Sequence, residues 1–134
     1  MALTSNLSRG NTLAVDIARE TAIGGGATDA SQNVFMTPGR LFYIRTDTDN
    51  AARAHLKLYN SKTVTVGTTV PDVVIPLNGS GIDDGHTVMV VATGLKFDTA
   101  FSMAATATET FASTTDPADA SLAVHACFAK TNDV

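Results

Sequence analysis

From Arg40 to Phe128 apolar and polar side chains alternate in short runs, and turn-forming residues end each run before it reaches the length of a helix. A period of two sends successive side chains to opposite faces of an extended strand, so the pattern calls for β structure. Arg40-Leu41-Phe42-Tyr43-Ile44-Arg45 and Arg53-Ala54-His55-Leu56-Lys57-Leu58-Tyr59 show it first, and the spacing predicts that Phe42, Ile44, Leu56 and Leu58 face a core. Phe101, Met103, Ala105 and Ala107 repeat it, as do Leu122, Val124, Ala126 and Phe128. Asp72 to Ile75 lies between Pro71 and Pro76; proline has no ladder donor, so a strand there belongs at a sheet edge. Val88-Met89-Val90-Val91 is apolar on both faces and is expected at the centre of a sandwich or beneath another subunit. Thr37-Pro38-Gly39, Asp47 to Asn50, Asn78 to Gly81, Asp83 to Gly85 and Gly94 supply the turns.

Seven or eight strands at this spacing predict an all-β fold, a two-sheet antiparallel β-sandwich of jelly-roll-like form. The 134 residues suffice for one core, and twenty Thr and twenty Ala with no Trp suit a pleated sheet better than a helical bundle. Residues 1–32 differ in character, being rich in Ser, Thr, Asn, Ala and Gly with a Gly24-Gly25-Gly26 hinge. They are expected to form an extended N-terminal arm preceding a sandwich domain over 33–134. Leu13, Val15 and Ile17 alternate with Ala14, Asp16 and Ala18 as in a half-buried strand, although Leu13 and Ile17 would also share one face of a short helix.

A net charge of −4 leaves no basic face for a polyphosphate, so nucleic acid is not an expected partner. No apolar run approaches the roughly 18 residues of a membrane helix, so no membrane partner is expected either. The first 20 residues lack the continuous apolar stretch of a secretory signal, which predicts a cytoplasmic origin. Charge is unevenly spread: residues 1–62 carry seven cations and five anions, including all five arginines, whereas residues 63–134 carry two cations and eight anions.

The residue types that carry chemistry do not assemble into a motif. Cys127 is the sole cysteine, which excludes an intrachain disulfide and a CxxC zinc site. His55, His86 and His125 have no metal-ligand spacing and read as solvent-facing strand residues. Cys127 and His125 share a strand face but lack an orienting third group in sequence. Asp47-Thr48-Asp49-Asn50 opens like a calcium loop, yet Ala51, Ala52 and Leu58 stand where such a loop needs a ligand, a glycine and a bidentate Glu. A polar hairpin turn is the simpler expectation. No catalytic residue, metal or cofactor is expected, and the protein reads as a non-enzyme.

Gly39-Arg40-Leu41 opening a strand, Leu56-Lys57-Leu58-Tyr59-Asn60, Thr65-Val66-Gly67-Thr68-Thr69-Val70-Pro71 and Gly94-Leu95-Lys96-Phe97-Asp98-Thr99 follow one another in order, ahead of a closing alternating strand. In that order and spacing the stretch from Gly39 to Phe128, about two thirds of the chain, resembles a domain of the structural proteins of tailed bacteriophages. Ala100 stands where the family-like tract often has Gly, and the arm has no fixed counterpart. The resemblance implies a small β-sandwich virion protein, here a capsid decoration or cement protein on the head surface, present in the host cytoplasm during assembly. Its expected partners are the major capsid protein and itself, as a homotrimer. A receptor- or glycan-binding module of a tail or fibre is the alternative, for which the missing Trp removes the usual stacking platform. The arm residues Arg9, Leu13, Val15, Ile17 and Arg19 are the expected capsid contacts, and Val88, Val90 and Ala104 the expected oligomer contacts.

Overall fold

The alternating runs form strands, and their order in space follows from how the chain doubles back. The computed structural model describes residues 16–21, 30–49, 51–117 and 122–130. Its strands are β1 (Asp16–Thr21), β2 (Gly39–Asp47), β3 (Ala54–Asn60), β4 (Val73–Leu77), β5 (His86–Phe97), β6 (Phe101–Thr106) and β7 (Ala123–Lys130). They build a four-stranded sheet in the order β1-β7-β2-β5 and a three-stranded sheet in the order β4-β3-β6, antiparallel throughout. The pairs nest: β3 with β4, β2 with β5, Ser31 with β6 and β1 with β7. The chain is therefore one long hairpin rolled over itself, the jelly-roll form of the two-sheet sandwich that the alternation predicts. Among the described residues the one helical turn is Asp83–Gly85, and no helix is long and apolar enough to cross a membrane.

The inner faces meet in a core that includes Leu41, Ile44, Leu56, Leu58, Ile75, Leu77, Met103, Leu122 and Val124. Ile44, Leu56 and Leu58 point inward as their spacing predicts, and β4, with Pro76 in it and Pro71 just before it, is an edge strand as expected. Phe42 departs from expectation. Against β7, Leu41 faces Phe128 and Tyr43 faces Cys127, so Phe42 is an extra residue in a β-bulge. The bulge slips the alternation by one position, which turns both Leu41 and Ile44 inward and leaves Phe42 half-buried across Gly94, where a Cβ would come within 3.0 Å of its ring.

Three further expectations change. β5 ends its sheet, which removes the central of the two places expected for Val88 to Val91, and Val88 and Val90 stand 55% and 70% exposed. Ala104, expected at an oligomer contact, is fully buried by its own chain, in a small outer cluster with Tyr59, Val64 and Val66. Within the segment expected to be an arm, Asp16–Thr21 is an edge strand of the four-stranded sheet and Ser31 bridges to Met103, so that segment contributes to both sheets.

Leu58 is fully buried between the sheets, and replacing it with Ala removes most of a side chain that the surroundings cannot refill. Leu58→Ala is expected to destabilise the fold by about 2–5 kcal/mol, and Phe42→Ala, at the half-buried bulge, by about 1 kcal/mol. Urea denaturation followed by circular dichroism measures both, and the order of the two values checks the bulge.

Candidate functional site

The two sheets treat their outer faces differently. That of β4-β3-β6 is covered by the chain itself over β3 and β6, where Val64 and Val66 cover Tyr59 and Ala104 and residues 107–116 cross over Lys57, while Val74 of β4 remains exposed. Lys57 is fully buried, and its Nζ donates to the backbone carbonyls of Thr110, Phe111 and Ser113 at 2.7, 3.4 and 3.5 Å. Burial pushes its ammonium below the ordinary lysine range. The outer face of β1-β7-β2-β5 carries no such lid among the described residues, and it gathers the side chains that the sequence leaves unassigned.

Register sets what lies side by side there. One cross-strand row runs Ile17, Cys127, Tyr43, Val90, and the next runs Arg19, His125, Arg45, Val88. For β1 only these register positions are described. Ile17 and Arg19, expected to contact a capsid, thus share two rows of one sheet with Val88 and Val90, expected to contact another subunit. Arg9, Leu13 and Val15 lie outside the described residues. Cys127 is half-buried, and burial raises its thiol, which lowers its thiolate fraction at neutral pH.

At the end of the face, Asp47 joins three strands. Its carboxylate accepts from Arg45 Nε at 3.1 Å and Nη2 at 3.0 Å and from His86 Nδ1 of β5, with His125 Nε2 of β7 at 3.9 Å. Burial by itself would raise the Asp47 pKa, but the hydrogen bonds from His86 and Arg45 and the charges of both outweigh it and hold the carboxyl below its ordinary range. Beside it opens a shallow cleft of about 120 Å³ lined by Asp47, Thr48, Asp49, Asp84 and His86. Three of the four tandem polar residues of the calcium-like stretch thus line a cleft, but Asp47 is engaged by Arg45 and His86, and among the described residues no three His, Cys, Asp or Glu side chains are grouped to hold a metal. Sequence spacing could not reveal this cluster, because His86 and His125 reach Asp47 through strand pairing across 39 and 78 positions.

Neither a comparison with protein-family models nor one with curated proteins finds a match to this chain.

Because the Asp47 carboxyl binds a proton less readily in the folded than in the unfolded chain, its interactions stabilise the fold fully above the ordinary carboxylate range. That contribution is lost as the pH falls through 3.8 and below, toward the depressed folded value. Asp47→Asn is expected to lower stability by about 1 kcal/mol at pH 7 and to match the parent protein at the acid end. Chemical denaturation at a series of pH values checks it, and a constant difference at every pH would contradict it.

Proposed function

We propose that this protein is a capsid decoration, or cement, protein that binds the outer surface of a tailed-phage head and bridges major capsid protein subunits. It acts by binding and carries out no catalysis. The observation that supports this reading most directly is the contrast between the faces of the sandwich: one sheet is lidded over β3 and β6 by the chain's own loops, while the other offers Val88, Val90 and Tyr43 beside a self-paired polar cluster. Apolar side chains rimmed by paired charge are the composition of a contact surface. The resemblance of Gly39 to Phe128 to phage structural domains supplies the setting.

In this reading the work is binding free energy. Each copy buries area across a seam between capsid subunits, and many copies acting together make the shell much harder to open than any one contact would. The β1 edge, with Ile17 and Arg19 and the preceding Arg9, Leu13 and Val15, faces the shell, while β5 lies at the opposite edge of the same sheet.

The test adds purified protein to heads assembled from the major capsid protein of the same virion and measures co-sedimentation and heat release of the packaged genome. Binding stoichiometric with capsid subunits and a raised release temperature are expected. Removing residues 1–15, which leaves β1 intact, together with Arg19→Ala should weaken decoration, most at low salt where charge contacts are least screened. Binding to tails alone, or none to heads, would reject the reading.

A further inference from the structure

A sheet edge exposes unpaired backbone donors and acceptors, and proteins blunt such edges with charge, proline, bulges or a covering segment. Three of the four edges here are blunted in these ways. β4 contains Pro76 and follows Pro71 and Asp72. β6 is covered by the segment after Ala30: Ser31 N–H donates to the Met103 carbonyl at 2.8 Å, Met103 N–H returns to Ser31 at 2.9 Å, and Val34 N–H donates to Phe101 at 2.9 Å. β1 is six residues long and holds Asp16, Arg19 and Glu20. β5 differs. It is the longest strand at 12 residues, and from Thr87 to Leu95 it has neither a charge nor a proline. Its one irregularity lies beyond Val90, where the pairing with β2 jumps from Tyr43–Val90 to Leu41–Leu95, and His86–Val90 remains regular.

We propose that β5 is the pairing edge for a second copy of this chain, joined by an antiparallel β5–β5 contact about a two-fold axis that makes one continuous eight-stranded sheet. The occupant follows from the symmetry of the strand itself. An antiparallel contact about a two-fold pairs residues whose numbers have a constant sum, so an edge of this kind must suit its own reversal. With Met89 on the axis, Val88 of each copy faces Val90 of the other and Thr87 faces Val91. These are β-branched cross-strand pairs, the kind that stabilises sheets. All four exposed valines then meet. A shift of two residues one way sets Val90 against His86, and the other way sets Val88 against Ala92, so Met89 at the axis is the register that buries them best. No charge lies on the paired stretch of Thr87 to Val91, and Tyr43, beside Val90 on β2, extends the apolar surface behind it. This inference does not rest on the capsid reading and departs from the homotrimer that the resemblance implies; it is measured on the protein alone.

The full chain is examined by analytical ultracentrifugation over a wide concentration range. A reversible dimer is expected. Val90→Lys, at an exposed position, should keep the circular dichroism spectrum and melting temperature and weaken the dimer by about 100-fold or more. Register is read by cross-linking in a Cys127→Ser background. Mixing the Val88→Cys and Val90→Cys variants should give a disulfide-linked pair, whereas each alone should cross-link poorly, since its two thiols sit about 7 Å out of step along the strands. A monomer at every concentration, a trimer, or a dimer indifferent to Val90→Lys would each overturn the proposal. So would a monomeric full chain that dimerises once residues 1–15 are removed, which would make the chain's own N-terminal segment the occupant.

Discussion

The rolled hairpin is closed by four phenylalanines drawn from three distant stretches of the sequence. Phe35, Phe97, Phe101 and Phe128 form one cluster, with Phe35 stacked on Phe128 at 4.4 Å and Phe97 edge-on to Phe101 at 5.0 Å. Aromatic pairs contribute beyond the area they bury, and these pairs join the entry to β2 with β5, β6 and β7. Nested strand pairing needs such a closure. Only β3 with β4 is a near-neighbour pair, and β1 with β7 closes nearly the whole chain, at an entropic cost that local propensity cannot offset. Gly39 follows from the same cluster: a Cβ there would overlap the Phe128 ring and the Ala129 carbonyl, so β2 can pass β7 at this point only without a side chain.

Closing the roll leaves two outer faces, and among the described residues the long connections lie over one of them. Lys57 shows how firmly. An ammonium taken fully out of water is costly unless its protons find acceptors, and here the acceptors are three backbone carbonyls of a single loop. While the loop is closed it supplies the acceptors that the dry ammonium needs, and Lys57 in turn ties three carbonyls of the loop to the sheet. The part of the face beneath the loop thus belongs to the protein's interior, while β4 keeps Val74 exposed.

How much of this is legible in the sequence depends on whether a feature is local. Alternation in β3, β6 and β7 needs only neighbours along the chain, and the prolines around β4 mark an edge because a missing donor is a property of one residue. Ile44, Leu56 and Leu58 are placed correctly for the same reason. Val88 to Val91 leaves two places open, because an apolar run on both faces marks a central strand as well as one covered by another subunit, and only pairing order removes the first. Ala104 reads as a free small residue because its cover, Val64 and Val66, comes from a loop about forty positions away. The Arg45, Asp47, His86 and His125 group is invisible for a similar reason: no spacing rule connects residues that meet through register.

One inserted residue ties the core to the outer face. Leu41 and Ile44 are three apart, so in an unbroken strand they would point in opposite directions and one of them would leave the core. Phe42 supplies the extra step, and the bulge sets both inward. The same slip decides what lies outside, because from Tyr43 onward the outward positions become Tyr43, Arg45 and Asp47, in register with Val90, Val88 and His86 of β5. Without it Ile44 would stand among the exposed valines and Arg45 and Asp47 would face the apolar interior. The apolar patch, its polar rim and the packing of the sandwich are thus one arrangement, fixed by a single irregularity in β2.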